Sequence, residues 1–207
     1  MDITTIMQYI DHIFYINLEK RTDRRAEIEQ ELLNAGLTGE RFNAIPTTSG
    51  IIGCGYSHLA VLKMAKERNY KNVLILEDDF QFLVSREEFD KNLSLFFNSQ
   101  IEYDVCFLAY NICKSEDVQE YPFIKRAIES QTASAYLVNN HYYDKLIDLY
   151  EVNIPLLEKT GYHWIYANDQ IWKKLQKTDK WYYFTERIGR QRDGYSDNTE
   201  RIERYNC

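Results

Sequence analysis

Short apolar runs alternate along the chain with segments in which apolar residues recur three and four positions apart. Runs of the first kind are typical of buried strands, and segments of the second kind are typical of helices. The predicted strands span residues 13–18, 41–45, 72–77, 104–109, 134–138 and 181–185. The predicted helices span residues 23–35, 56–68, 140–150 and 168–177, with one more beginning after Ser85. This alternation predicts an α/β fold with a mostly parallel central sheet flanked by helices.

Local signals define two of these helices more closely. In the first helix, Ile28, Leu32 and Leu33 are expected on one apolar face, and Gly36 is expected to end it. Ser85 and Glu88 have the spacing of a capping box.

Residues 47–55 (TTSGIIGCG) are predicted to form a glycine-rich loop before the helix that begins at Tyr56. With no repeats and no linker, residues 1–207 are interpreted as one domain.

Composition and charge narrow the class of protein. A hydrophobic fraction of 44% indicates a globular chain, and no apolar run approaches the roughly 20 residues of a membrane-spanning helix. The net charge of −7 argues against nucleic acid as a partner. No export signal is recognised, and the cysteines form no CxxC pair, so they are interpreted as free thiols in a cytoplasmic, reducing compartment. The cysteines are Cys54, Cys106, Cys113 and Cys207.

The sharpest chemical feature is the acidic triplet Glu77-Asp78-Asp79, directly after the apolar run VLIL. At the end of a strand these carboxylates would face the crevice where α/β sheets bind ligands. Their oxygens would attract Mn²⁺ or Mg²⁺, which in turn binds diphosphate oxygens. A solvated acidic turn is the alternative.

Two further segments suggest an anion site. Arg21 and Arg24 follow the first strand, where guanidinium groups could reach a diphosphate; an ordinary charged helical turn is the alternative. Gly55, Ser57 and His58 begin the second helix, where the backbone could approach a ligand. Ser57 as a cap and His58 as a core histidine are the alternatives.

In this order, four segments resemble glycosyltransferase family 25. They are FYINLEKRTDRR (14–25), RFNAI (41–45), GCGYSHLAVLKMA (53–65) and VLILEDD (73–79). The later SAYLVNNHYYDKL and QRDGYSDN are similar to further family segments. There are two departures. Gln131-Thr132-Ala133-Ser134-Ala135-Tyr136 replaces the family's Gly-x-x-Ala-Tyr, and Tyr166-Ala167-Asn168-Asp169 replaces its Pro-x-Asp.

The resemblance implies a single domain of the GT-A fold. It also implies an inverting, metal-dependent transfer of a hexose, galactose or glucose, from a UDP-sugar to a glycan or glycoconjugate, as in polysaccharide or lipopolysaccharide biosynthesis. Residues 10–110 would hold the donor and residues 130–207 the acceptor, in an unknown oligomeric state. Asp79 is expected to be the main ligand of Mn²⁺ or Mg²⁺, supported by Glu77, and Asp169 the catalytic base. The expected donor-binding residues are Asn17, Leu18, Arg21, Arg24, Gly55, Ser57, His58, Glu77, Asp78, Gln191 and Asp197.

Several alternatives remain open on the sequence. A nucleotidyltransferase acting on a sugar phosphate also uses an α/β sheet and strand-end acids, and an inactive sugar-binding protein would keep the fold. Asp169 could be only a helix cap, with Asp197 as the competing base. The polar tail from Arg187 could close over the donor or be a frayed end. The aromatic segment 162–166 could stack on an acceptor sugar or belong to the core.

Overall fold

A computed structural model describes residues 9–196 and 201–204. Within these residues, strands and helices alternate through most of the chain. The strands are β1 (His12–Asn17), β2 (Glu40–Asn43), β3 (Asn72–Glu77), β4 (Phe80–Phe82), β5 (Val105–Phe107), β6 (Asn111–Asp117), β7 (Ile124–Gln131), β8 (Ala135–Asn139), β9 (Trp181–Phe184), β10 (Gly189–Gln191), β11 (Gly194–Ser196) and β12 (Arg201–Glu203). The helices are α1 (Thr22–Asn34), α2 (Gly50–Glu67), α3 (Arg86–Asn98), α4 (Tyr143–Thr160), α5 (His163–Tyr166), α6 (Asn168–Ile171) and α7 (Lys173–Gln176).

An eight-stranded sheet runs through the molecule in the order β2-β1-β3-β8-β5-β9-β7-β6. Strand β1 pairs in parallel with β2 and β3, whereas β8 runs antiparallel to both of its neighbours. Only β7 and β8 point against the other six strands of this sheet, so the prediction of an α/β fold with a mostly parallel sheet is confirmed. The carboxyl ends of β1 and β3 therefore lie side by side, with Ile16 opposite Glu77.

Both faces of the sheet are buried, and alternate strand residues enter two separate cores. Phe14, Ile75 and Phe107 belong to the core beneath α2 and α4. Their neighbours Leu74 and Cys106 belong to the core on the opposite face, beneath α1 and α3. The two layers of helices hold the strand ends of the sheet in fixed register.

Helices α2 and α4 lie antiparallel on one face of the sheet. Tyr56, near the start of α2, donates to Glu158 near the end of α4 over 2.9 Å. Lys66, near the end of α2, pairs with Asp144 at the start of α4. The end of α4 therefore lies beside the start of α2, at the end of the sheet where β1 and β3 stop.

The predicted apolar face of α1 is correct except at one residue. Ile28 and Leu32 are buried with Ala35, which follows the helix, and Gly36 ends the turn with φ +61°. The expectation for Leu33 is wrong, since that side chain is 69% exposed. Positions 28, 32 and 35 form one stripe at helical period, and position 33 falls outside it.

The prediction of a glycine-rich loop over residues 47–55 is wrong, because α2 already begins at Gly50. A Cβ on Gly53 would lie 2.5 Å from the carbonyl oxygen of Ile45, and one on Gly55 would lie 3.2 Å from Ile154. The glycines therefore let the first turns of a helix approach a loop and α4 closely.

The predicted capping box at the start of α3 is confirmed. The Oγ atom of Ser85 accepts from the backbone N–H of Glu88 over 3.2 Å, and the Glu88 carboxylate accepts from the backbone N–H of Ser85 over 2.9 Å.

The tail contains strands that the sequence did not indicate. Strand β10 pairs antiparallel with the short strand β4, and β11 pairs with β12. A frayed end is therefore the wrong description of the tail up to Ser196. At Gly189 the pairing is so close that a Cβ would lie 2.2 Å from the Phe80 ring and 2.8 Å from the Gln81 carbonyl oxygen.

Gly189→Ala is expected to lower the free energy of unfolding by about 1–3 kcal/mol, because the added methyl group overpacks the contact with Phe80. Urea unfolding measures this change. Gly194→Ala is the matched control in the same tail, since a Cβ there meets no atom within 4 Å. A loss of stability that is equal in both variants would contradict the packing explanation.

The described residues also bear on the expectations about membrane helices and thiols. None of the helices in the described ranges is long and apolar enough to cross a lipid bilayer. Cys54, Cys106 and Cys113 are free thiols, whereas Cys207 lies outside the described residues.

Candidate functional site

A cavity of about 280 Å³ opens where β1 and β3 end. Its walls come from the end of β1, the loop after β2, the first turns of α2, the acidic triplet and the tail. This is the edge at which α/β sheets bind ligands.

All three carboxylates of the triplet line this cavity, yet two of them are nearly inaccessible to water. Glu77, the last residue of β3, continues the pairing with β8, because its backbone N–H donates to the carbonyl of Ser134, just before β8, over 2.8 Å. Asp78 and Asp79 follow at the strand end, and Asp79 is only 6% exposed. This burial excludes the alternative of a solvated acidic turn.

Asp79 carries an unsatisfied oxygen. Its Oδ2 atom accepts from Arg24 over 3.0 Å and from Gln191 over 3.1 Å. Its Oδ1 atom is buried without a hydrogen-bond partner. Burial and the charge of Glu77 raise the pKa of Asp79 to about 7, although Arg24 opposes the shift. A buried carboxylate in this state is stabilised by a cation.

Asp78 has a partner on each oxygen. Oδ1 accepts from Arg24 over 3.0 Å, and Oδ2 accepts from the side-chain amide of Asn17 over 2.7 Å. Burial raises the pKa of Asp78. Asn17 itself is buried at the end of β1 and accepts from Arg41 over 3.0 Å, so these contacts fasten the end of β1 to the triplet.

The two predicted arginines differ in their surroundings. The Arg24 side chain is 12% exposed, bonds to both Asp78 and Asp79, and donates to the carbonyl of Tyr195 over 2.7 Å. Burial opposes the charge of Arg24, but the two carboxylates raise its pKa overall. Arg24 lines the cavity with Leu18, whereas Arg21 is not among its lining residues and pairs with Asp23 over 2.8 Å. Arg21 also donates to the carbonyl of Tyr195, over 3.4 Å, so both arginines contact the tail, but only Arg24 bonds to the acidic triplet.

Ser57 and Gly55 shape the wall that α2 contributes. Ser57 is about two turns inside the helix. Its Oγ atom accepts from the backbone N–H of Ile45 over 2.9 Å and donates to the carbonyl of Gly53 over 2.6 Å. Ser57 is therefore not the cap of this helix, and it ties α2 to the loop after β2. Gly55 is buried beneath the cavity lining, against Ile154.

His58 connects the core to the acidic triplet. It is fully buried, its Nδ1 atom lies 2.7 Å from the hydroxyl of Tyr136, and its Nε2 atom lies 3.0 Å from Oε1 of Glu77. The thiol of Cys54 donates to the same Oε1 over 3.3 Å. Burial favours the neutral form of Glu77, but these hydrogen bonds lower its pKa overall. His58 is thus both a core histidine and a neighbour of a cavity carboxylate.

The tail closes one side of the cavity. Besides Gln191, the backbone N–H of Arg192 bonds to the carbonyl of Asp79 over 2.7 Å. The Arg192 guanidinium bonds to Glu27 and Glu31 of α1 over 2.6 and 2.9 Å. These contacts place Gln191 against the triplet, and Asp197 lies outside the described residues.

Asp169 lies in the first turn of a helix, as expected, but that helix ends at Ile171 and a second short helix, α7, follows in place of one helix over residues 168–177. Asp169 is not among the residues that line the cavity. It is half-buried, and Oδ2 accepts from the backbone N–H of Thr132 over 3.3 Å. The preceding Asn168 donates to the Cys54 sulfur over 3.2 Å, so Asp169 is one residue from a direct contact with the site. The aromatic segment before it is exposed and not core, with Trp164 59% accessible.

Three residues lie at or beside the site although they were not predicted from the sequence to belong to it. Lys20 lines the cavity, and Cys54 joins Glu77 to Asn168. Thr132 adopts φ +81° next to Asp169, a conformation that favours glycine. The sequence does contain a sign of this conformation, because the family pattern Gly-x-x-Ala-Tyr has its glycine at position 132.

The fold resembles that of a known structure. The crystal structure of A197 from STIV superimposes with a TM-score of 0.52 and 13% sequence identity over 95% of this chain and 94% of that chain. At this identity the likeness concerns the fold alone.

Sequence comparison identifies relatives over parts of the chain. A "Glycosyltransferase 25 family member" of Drosophila pseudoobscura pseudoobscura is 30% identical over 138 residues, which cover 52% of this chain and 22% of the relative. Procollagen galactosyltransferase 2 of Mus musculus is 33% identical over 100 residues, which cover 35% of this chain and 16% of the relative. The chain thus spans about a fifth of the length of these relatives. The family model described as "Glycosyltransferase family 25 (LPS biosynthesis protein)" matches residues 46–164, more than half of the 207-residue chain. The chain therefore belongs to glycosyltransferase family 25.

Proposed function

We propose that this protein transfers a hexose from a UDP-sugar to a glycan or glycoconjugate, with inversion at the anomeric carbon and with the help of Mn²⁺ or Mg²⁺. Family membership supports the transfer of a sugar. A relative named as a galactosyltransferase favours galactose over glucose. The free thiols support a reducing, cytoplasmic setting. In this proposal residues 1–207 act as one domain, with the donor part at about 10–110 and the acceptor part at about 130–207.

The observation that carries the proposal is the unpaired Oδ1 of Asp79 at the wall of the cavity. A buried polar atom without a partner calls for a bound ion, water or ligand, and this one belongs to an acid beside two other acids. Oxygen donors of this kind fit Mn²⁺ or Mg²⁺. Asp79 would hold the ion with support from Glu77, and the ion would supply positive charge for the departing diphosphate.

The protein's own groups would complete the donor site. Arg24 lies where its guanidinium could bond diphosphate oxygens as well as the two carboxylates. Gln191 would close the site from the tail. Asn17, Leu18 and Asp78 would form the wall at the end of β1 and β3.

In this proposal, the remaining candidates act less directly on the donor. Arg21 would neutralise charge near the tail. Ser57, Gly55 and His58 would keep the first turns of α2 in place. Asp197 keeps the role suggested by the family segment, as a donor contact.

Asp169 would remove the proton from the acceptor hydroxyl as that oxygen attacks the sugar. Its position beside, rather than within, the cavity lining supports a role on the acceptor side. The exposed rings of Tyr162 and Trp164, 5.0 Å apart, offer a surface on which an acceptor sugar could stack.

A screen of nucleotide sugars for hydrolysis tests the proposal directly. We expect UDP to be released from UDP-galactose or UDP-glucose in the presence of Mn²⁺, and release to stop when a chelator removes the ion. The ion is needed because the acidic triplet repels an unshielded diphosphate. Product analysis separates the alternatives, since formation of pyrophosphate would indicate nucleotidyl transfer. Equal turnover with chelator present would contradict the role of the metal.

A further inference from the structure

A second group of metal-binding atoms lies beside the acidic triplet and has a different chemistry. The Sγ atom of Cys54, a ring nitrogen of His58 and a carboxylate oxygen of Glu77 all lie within 4.8 Å of one another. Cys54 and His58 are four residues apart on α2, on one face of the helix, and Glu77 ends β3 opposite them. Sulfur, imidazole and carboxylate are the three ligand types that zinc binds in proteins.

The spacing of these atoms suits a tetrahedral ion. The hydrogen bonds from Cys54 and His58 to Glu77 place sulfur and nitrogen 3.3 and 3.0 Å from Oε1. Ligand atoms around tetrahedral zinc lie roughly 3.3–3.8 Å apart, given bonds of about 2.0–2.3 Å. A small outward shift of the side chains would therefore admit the ion without a change in the backbone.

Two buried neighbours already orient the ligands as the outer shell of a metal site does. The hydroxyl of Tyr136 lies 2.7 Å from Nδ1 of His58, which leaves Nε2 directed at Glu77. The side-chain amide of Asn168 donates to the sulfur of Cys54 over 3.2 Å. Contacts of this kind fix the tautomer of a ligating histidine and support a thiolate.

We propose that Cys54, His58 and Glu77 form a binding site for Zn²⁺, adjacent to the oxygen-ligand site at Asp79 and sharing Glu77 with it. The sulfur ligand selects a thiophilic ion, whereas the oxygens of Asp79 select Mn²⁺ or Mg²⁺. Cys54 and Glu77 line the cavity, so the fourth coordination position is accessible from the cavity. On binding, the Cys54 thiol releases its proton to solvent. The His58 ring exchanges its proton from Nε2 to Nδ1, where the Tyr136 hydroxyl oxygen accepts it, so bonds from sulfur and Nε2 to zinc replace the two hydrogen bonds to Glu77. The site does not depend on the identity of the sugar donor.

A titration of the chelator-treated full chain with Co²⁺ tests the site, because cobalt bound by a thiolate absorbs in the near ultraviolet. We expect one equivalent of Co²⁺ to produce this charge-transfer band and one equivalent of Zn²⁺ to remove it. Cys54→Ser should abolish the band. Asn168→Ala should weaken binding by about 10-fold, as loss of an outer-shell contact does.

Matched variants separate this site from the others. Cys113→Ser, which alters an exposed thiol, and Cys207→Ser should keep the band. Asp79→Asn should also keep it, since Asp79 contributes no ligand. In the wild-type protein, zinc should protect Cys54 from alkylation, as read by mass spectrometry, which gives a result even if a variant fails to fold. Absence of the band in the wild-type protein, its persistence in Cys54→Ser, or a lack of protection at Cys54 would each overturn the proposal.

Discussion

Asp79→Asn is expected to reduce sugar transfer by about 10³-fold or more while the protein stays folded. A metal ion contributes several kcal/mol of charge stabilisation in the transition state, and each 1.4 kcal/mol is about tenfold in rate. The substitution keeps a polar group for Arg24 and Gln191 but removes the charge that would hold the ion. It also removes repulsion from Glu77 and Asp78, so we expect the metal-free protein to lose no more than about 1 kcal/mol of stability.

The measurement pairs UDP release with Mn²⁺ affinity by calorimetry, and urea unfolding checks the fold. Asp78→Asn is the informative comparison, because both oxygens of Asp78 already accept hydrogen bonds from Arg24 and Asn17. We expect it to weaken Mn²⁺ binding less than Asp79→Asn does. If Asp79→Asn retained wild-type turnover, the metal would have to be bound elsewhere.

The strands that carry the site could be predicted because they are buried on both faces. Residues 72–77 read as one apolar run, and β3 is completely buried between its first and last residues. Three acids that directly follow a buried strand cannot all enter the apolar core, so they are expected at the edge of the sheet where the strand ends. The edge location of the triplet therefore followed from the sequence.

The hairpin of β6 and β7 gave no such signal. Strand β6 lies at the edge of the sheet, and its sequence NICKSED is mostly exposed and contains three charged residues. Charged residues on an edge strand protect it from pairing with other chains, but they also remove the apolar pattern from which strands are predicted. The tail strands are likewise short and polar, and their pairing with β4 depends on the close contact at Gly189.

The start of α2 shows how one boundary changes the site. If residues 47–55 formed the predicted loop, the sequence would not determine how the side chains of Cys54 and His58 lie relative to each other. Because the helix begins at Gly50, they are one helical turn apart and face Glu77 together. Glycine lowers helix propensity, and here tertiary packing against Ile45 and Ile154 overrides that preference.

Arg24 illustrates a limit of local patterns. A charged residue in the first turn of a helix usually faces water, and its loss then changes stability by no more than about 0.5 kcal/mol. In the structure the guanidinium pairs with two buried carboxylates and with the carbonyl of Tyr195, which lies 171 residues further along the chain. Such a long-range arrangement cannot be inferred from spacing. Because of these contacts, Arg24 also stabilises the positions of Asp78, Asp79 and the tail.

Asp169→Asn is expected to lower the turnover number for transfer by about 10²–10⁴-fold, the usual contribution of a general base, while UDP affinity stays near that of the wild type. An inverting transferase needs a base on the acceptor side. Asp144 and Asp148 lie exposed on α4, and Glu158 accepts from Tyr56. Asp169 is half-buried, sits beside the Asn168–Cys54 contact, and follows the exposed ring of Trp164.

The assay must separate transfer to an acceptor from slow hydrolysis of the donor, because a lost base affects the first more than the second. Asp148→Asn is the matched control on a neighbouring helix and should leave both rates unchanged. Asp197→Asn tests the competing base suggested by the family segment. The local fold should survive the Asp169→Asn change, because the amide oxygen of asparagine can accept the hydrogen bond from the backbone N–H of Thr132 in place of Oδ2. Transfer within a few-fold of wild type, or a parallel fall in UDP affinity, would exclude Asp169 as the base and leave Asp197 as the next candidate.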